Sequence, residues 1–174
     1  MSNRDSDPTA IPIEFDPREQ RMVGTAIHGD TPFDVPFVSH IEGNLWTGGC
    51  QTGLILPKNI VHLVSLYQWE RYKIGHKLAS ESYHFFYDAD VPDVEHLRAL
   101  SAWVRYCMMD GPTLVHCQAG LNRSGLVAAL VLMDAGRTAD EAITLLRAKR
   151  SPAVLCNPKF ERWLRQLKRK MAST

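Results

Sequence analysis

The chain has 174 residues, with 20 Lys+Arg against 19 Asp+Glu for a net charge of +1, and it is 45% apolar and 22% charged. At this length a soluble domain buries roughly two thirds of the surface its unfolded chain exposes, so a core forms without disulfide or metal staples, and a second full domain is not expected. The near-neutral balance removes the long-range attraction that would make nucleic acid or an anionic membrane an obligatory partner.

Met1 to Asp7 is polar, with no positively charged start leading into an apolar run. No secretory signal is expected from it, and an intracellular, cytoplasmic placement follows. Polar residues and Pro8 and Pro12 continue to about residue 12, which predicts a frayed tail. Prolines 17, 32 and 36 then predict an irregular arm, giving a boundary between an irregular or partly disordered segment 1–37 and a folded domain 38–174.

Regular structure is expected from Val38. Ile41, Leu45 and Trp46 before Gly48-Gly49 predict a strand or hairpin, Asn59 to Leu66 a buried strand, and Tyr83 to Tyr87 a short strand. Asp93 caps a helix whose Val94, Leu97, Leu100, Val104 and Cys107 recur at three- and four-residue steps up to Asp110-Gly111-Pro112. Thr113 to His116 is a strand. Ser124 to Ala135 is a helix apolar on nearly all sides, hence central, and its longest apolar stretch is about half the ~20 residues a membrane span needs. Thr138 and Glu141 form a capping box for the next helix. Asn157-Pro158 opens the last, with Phe160, Trp163, Leu164 and Leu167 on one face and Arg162, Arg165, Lys168 and Arg169 on a solvated one. Strands interleaved with helices, then a helical C-terminal half, predict an α/β fold: a central mixed, mostly parallel sheet flanked by helices.

Cys50, Cys107, Cys117 and Cys156 lie far apart without a Cys-x-x-Cys pair, so free thiols are expected, with Cys50, Cys107 and Cys156 serving packing alone. Cys117 differs. In Val115-His-Cys-Gln-Ala-Gly-Leu-Asn-Arg-Ser-Gly125 it is separated from Arg123 by five residues, at the far end of a strand-to-helix loop. A loop entering a helix aims backbone N–H groups at one spot, and the helix dipole adds positive potential there, which suits a tetrahedral oxyanion. Arg123 adds a planar donor fork for two phosphate oxygens, and Gly120 permits the tight turn. Without phosphate, the same field favours the Cys117 thiolate, a poised nucleophile.

This stretch resembles the His-Cys-x5-Arg-Ser/Thr signature of cysteine-dependent phosphatases, and its surroundings resemble the dual-specificity subgroup of the protein tyrosine phosphatases. The resemblance runs from about Ile41 to Leu167, including Asn44-Leu-Trp-Thr-Gly48 and Asn157-Pro-Lys-Phe160. It implies a phosphoric monoester hydrolase in which Cys117 attacks phosphorus to give a cysteinyl-phosphate. Arg123 and the N–H groups of Gln118, Ala119, Gly120, Leu121, Asn122 and Arg123 then hold phosphate, Ser124 hydrogen-bonds sulfur, and His116 orders the loop. No metal or other cofactor is implied. The general acid is sought among Asp88, Asp90 and Asp93. The stretch Asp88-Ala-Asp-Val-Pro-Asp-Val94 is similar to the family's Asp-x4-Asp/Asn-apolar pattern, which selects Asp88, with Asp90 in reserve and Asp93 as a cap.

The expected substrate is a phosphoprotein bearing phosphate on Tyr, Ser or Thr, since Gln118, Ala119, Leu121 and Asn122 are neutral where inositide phosphatases place lysines. Asn122 before Arg123 also resembles the RNA 5′-triphosphatase branch, although Ala119 stands where that branch has a second His. A catalytically silent phospho-binding module is the third alternative.

Overall fold

The computed structural model describes residues 7–172, with side chains through Leu167, so residues 1–6 of the expected frayed tail and the side chains of Lys168 and Arg169 lie outside the described residues; residues 7–12 correct that expectation, with Asp7 buried and the Ile11 main chain bonded to Gln118. Two sheets are built. β1 (Ile13–Asp16), β2 (Arg21–Ala26) and β3 (Thr31–Pro36) form an antiparallel sheet in that order. β4 (Val38–Glu42), β5 (Leu45–Gly48), β6 (His62–Ser65), β7 (Ser80–Tyr83) and β8 (Thr113–His116) form a second sheet in the order β4-β5-β8-β6-β7.

The first sheet corrects the expectation of an irregular arm before Val38. Pro17 sits in the turn between β1 and β2, while Pro32 and Pro36 lie in β3, which pairs only with β2. A proline lacks the N–H that a central strand must donate on both sides, but an edge strand tolerates it. Apolar residues then bury one face: Met22, Ala26, Phe33 and Val35 join the same core as the second sheet.

In the second sheet only β4 runs antiparallel, as one arm of a hairpin turned at Gly43, where φ is +52°. β8 is central, parallel to β5 and β6, and all four of its residues are buried, as expected of a parallel strand covered on both faces. The short strand expected at Tyr83–Tyr87 is shifted, lying at Ser80–Tyr83. Its partner β6 ends at Ser65, whose carbonyl accepts from His84 N at 2.8 Å, so residues beyond have no strand to pair with.

The helices follow prediction closely. Asp93 caps α1 (Val94–Asp110) by accepting from His96 N, and Leu97, Leu100, Val104 and Cys107 are buried along one stripe. α2 (Arg123–Asp134) is buried from Arg123 through Leu132 and packs against α1, α3 (Ala139–Lys149) and α4 (Pro158–Ala172). The Thr138–Glu141 capping box starts α3. Asn157 Oδ1 accepts from Lys159 N at 3.0 Å at the start of α4, whose Phe160 and Leu164 are fully buried. No helix among the described residues is long and apolar enough to cross a membrane. The arrangement places the C-terminal ends of β5, β8 and β6 beside the N-terminus of α2, where open parallel sheets form their ligand crevices.

Candidate active site

β8 ends at His116, and the loop from Cys117 to Asn122 feeds directly into α2. Gly120 has φ +72°, and a Cβ there would meet the Gly48 carbonyl carbon at 2.4 Å, so the turn and the close approach both require glycine. Main-chain bonds hold the loop on both sides: Cys117 N to Gly48 O at 3.2 Å, Cys50 N to Gln118 O at 2.9 Å, and Leu155 N to Leu121 O at 3.2 Å. The amides of Gln118 to Asn122 donate to no main-chain carbonyl among the described residues, and so are available to an anion.

Cys117 Sγ lies 3.4 Å from Ser124 Oγ on the first turn of α2. His116 stands behind the loop, its Nδ1 3.2 Å from the Cys117 carbonyl and its Nε2 bonded to Ser65 Oγ. A ring donating from Nδ1 and accepting at Nε2 is neutral, and burial lowers its pKa to about 4, with the Arg123 charge acting in the same direction and the Cys117 carbonyl against it. The Arg123 guanidinium sits 5.2 Å from the centre of the Tyr67 ring. Its Nη1 donates to Phe86 O at 3.2 Å, and its buried Nε has no hydrogen-bond partner among the described residues.

The three acid candidates separate clearly. Asp93 caps α1, and Asp90 points outward to an ion pair with Lys159. Asp88 lines the same concavity as Cys117 and Arg123. Its Oδ2 accepts from Asn122 Nδ2 at 2.9 Å and its Oδ1 from Asn157 Nδ2 at 2.8 Å, while His28 Nε2 lies 3.1 Å from Oδ1. The ten site residues expected from the sequence therefore gather here: Cys117, Arg123, Asp88 and Asn122 around the concavity, Gln118 to Leu121 along the loop, Ser124 against the Cys117 sulfur, and His116 behind the loop.

Four contributors escaped sequence reasoning. Arg150 is buried at the end of α3, with Nε donating to Gly120 O at 2.6 Å, Nη2 to Ala119 O at 2.8 Å, and Nη1 to Pro36 O and Ser39 Oγ. Burial lowers its pKa to about 10, so it stays charged at neutral pH. Asn157, legible as a helix start, also clamps Asp88. His28 and Asp7 arrive from the N-terminal segment, Asp7 through a 2.7 Å ion pair with Arg123 Nη1.

Residues 75–170, more than half of the chain, match the family model "Dual specificity phosphatase, catalytic domain". The chain belongs to that family, and the fold and loop together define a cysteine-based phosphatase domain. A curated mouse relative, protein tyrosine phosphatase domain-containing protein 1, is 39% identical over 70 residues, which span 36% of this chain and 9% of that relative's length. Among solved structures, a mouse dual specificity phosphatase complexed with zinc tungstate is similar with a TM-score of 0.62 and 22% identity, over 79% of this chain and 91% of that one. PTPMT1 in complex with PI(5)P is similar with a TM-score of 0.57 and 13% identity, over 78% and 99%.

Proposed function

We propose that this domain hydrolyses phosphomonoesters on protein Tyr, Ser and Thr side chains through a cysteinyl-phosphate intermediate. The observation that carries the reading is the convergence of Cys117, Arg123 and Asp88 on one concavity at the entrance of α2, with Ser124 Oγ against the Cys117 sulfur. Cys117 thiolate attacks phosphorus in line: the P–S bond forms, the P–O ester bond breaks, and Asp88 delivers a proton to the departing oxygen. Arg123 and the loop amides neutralise the phosphoryl oxygens as charge spreads over them. Water then attacks phosphorus, giving its proton to Asp88, and the P–S bond breaks with Ser124 hydrogen-bonding the released thiolate.

Neutral side chains in the loop favour a single phosphate over a multiply phosphorylated inositol ring. The RNA alternative rested on Asn122, whose side chain is engaged by Asp88 and by Asn157 N. Turnover of para-nitrophenyl phosphate should vanish in Cys117→Ser, and Asp88→Asn should slow alkyl phosphates more than nitrophenyl phosphate; full turnover in Cys117→Ser overturns the mechanism. A panel of phosphopeptides, triphosphorylated RNA and phosphoinositides then assigns the substrate. Phosphopeptide capture without turnover favours the binding module.

A further inference from the structure

Asp7 is a polar residue in a polar segment, yet its side chain is 0% exposed and ion-paired to an arginine that is 3% exposed. Local chemistry prepares it. Asp-Pro at the first two positions favours a β-turn, and Ala10 N donates to Asp7 O at 3.1 Å to close one. Asp7 Oδ1 accepts from Thr9 N at 2.8 Å and from Thr9 Oγ1 at 2.6 Å, leaving Oδ2 to face Arg123. Downstream, Ile11 N donates to Gln118 Oε1 at 2.9 Å and Gln118 Nε2 donates to Ile11 O at 2.7 Å, so the loop's own side chain reads this backbone as it would a peptide's. Thr9 Oγ1 also accepts from Asp88 N at 3.1 Å.

The segment therefore touches the phosphate arginine, the acid-bearing residue and the loop together. Cys117 is left 2% exposed, and the free volume before it is about 20 Å³. That is room for roughly one water and not for a phosphate. We propose that Asp7 to Ile11 is a built-in plug, its carboxylate paired to the arginine that would hold phosphate and its backbone held by Gln118, which a phosphate-bearing ligand must displace before it reaches Cys117. This rests on the phosphate cradle assigned above.

The occupation is incomplete in a way that allows displacement. Among the described residues Asp7 engages Nη1 of Arg123, while the buried Nε has no hydrogen-bond partner. Phosphate can bring one oxygen to Nε and another to Nη2, which share an edge of the guanidinium that Asp7, bound at Nη1, does not use. The chain leads from Ile11 into β1 two residues later, so the plug is held at high effective concentration and rebinds whenever the cradle empties.

A cradle plugged most of the time reduces apparent ligand affinity by its open fraction, so a plug open about one tenth of the time costs about tenfold. Calorimetric titration of the full chain with inorganic phosphate should show affinity about tenfold or more higher in Asp7→Ala and in the isosteric Asp7→Asn. The KM for para-nitrophenyl phosphate should fall in parallel, with kcat within about twofold. Equal or weaker phosphate affinity in variants that melt like the parent overturns the plug, whether or not the enzyme turns over. Tighter phosphate binding without turnover upholds the plug and removes the phosphatase assignment instead. In the parent protein, where no variant's folding enters, saturating phosphate should accelerate amide exchange at Thr9 and Ile11. Unchanged exchange there overturns the proposal.

Discussion

His116 immediately precedes Cys117, and its ring is sealed between Ser65, the Cys117 carbonyl and the edge-on Tyr72 ring 5.2 Å away. Protonation would put a second donor where Ser65 donates and a cation beside Arg123. In the unfolded chain this histidine takes up a proton near its ordinary value of 6.5; in the folded chain it does so only near 4. Between those values the unfolded state binds the extra proton, so stability present above about pH 6.5 is lost as pH falls toward 4, by about 3 kcal/mol in full. Urea midpoints measured from pH 7.5 to 4.5 should fall accordingly, and His116→Gln should flatten that part of the slope. An identical slope in the variant would assign the dependence to other groups. At this scale the site was largely legible: the spacing of His116, Cys117, Gly120, Arg123 and Ser124 is local chemistry, and the structure gathers all five. Asp7 was not legible, because composition places a lone carboxylate among polar residues in solvent.

At the scale of elements, β8 and α2 present the loop, but α3 keeps its shape. Arg150 leaves the end of α3 to bond two loop carbonyls, those of Ala119 and Gly120, together with Pro36 O and Ser39 Oγ. A methionine there fills similar space but donates to none of these four acceptors, and the buried loop carbonyls of Ala119 and Gly120 lose the Arg150 bonds. Hydrogen bonds from charged groups contribute about 1.5–3 kcal/mol each, so Arg150→Met should destabilise the fold by about 3 kcal/mol or more. The kcat/KM for para-nitrophenyl phosphate should drop at least tenfold, because the amides lose their alignment. Chemical denaturation and kinetics on the variant check both, and native-like activity would deny Arg150 its positioning role. The sequence marks α3 clearly by its capping box. Nothing in that box says that the arginine closing the helix turns inward, since a terminal basic residue ordinarily faces the helix dipole and solvent.

For the molecule as a whole, the two sheets share one core. Met22 of β2 is fully buried in the cluster that also holds Leu45, Leu114 and Leu126, and its sulfur lies where a side chain on Gly49 would go. The N-terminal sheet is therefore integral to the domain, and through His28, Thr9 and Asp7 it reaches the site. Met22→Ala should cost about 3 kcal/mol, as truncation of a buried methionine does, and should shift one cooperative transition. Separate transitions by tryptophan fluorescence and by far-UV circular dichroism would show that the N-terminal sheet folds apart; all four tryptophans lie outside it.

Amphipathic period, helix caps and the strand-to-helix loop are set by neighbours in the chain, so α1, β8, α2, α3 and the Cys117–Arg123 cradle could be read from the sequence alone. What required the tertiary structure were pairings across long separations: Asp7 with Arg123, His28 and Asn157 with Asp88, and Arg150 with Gly120. No local pattern encodes these contacts. Each becomes favourable only when burial in the folded core strips water from both partners and makes the charge or hydrogen bond between them the available compensation.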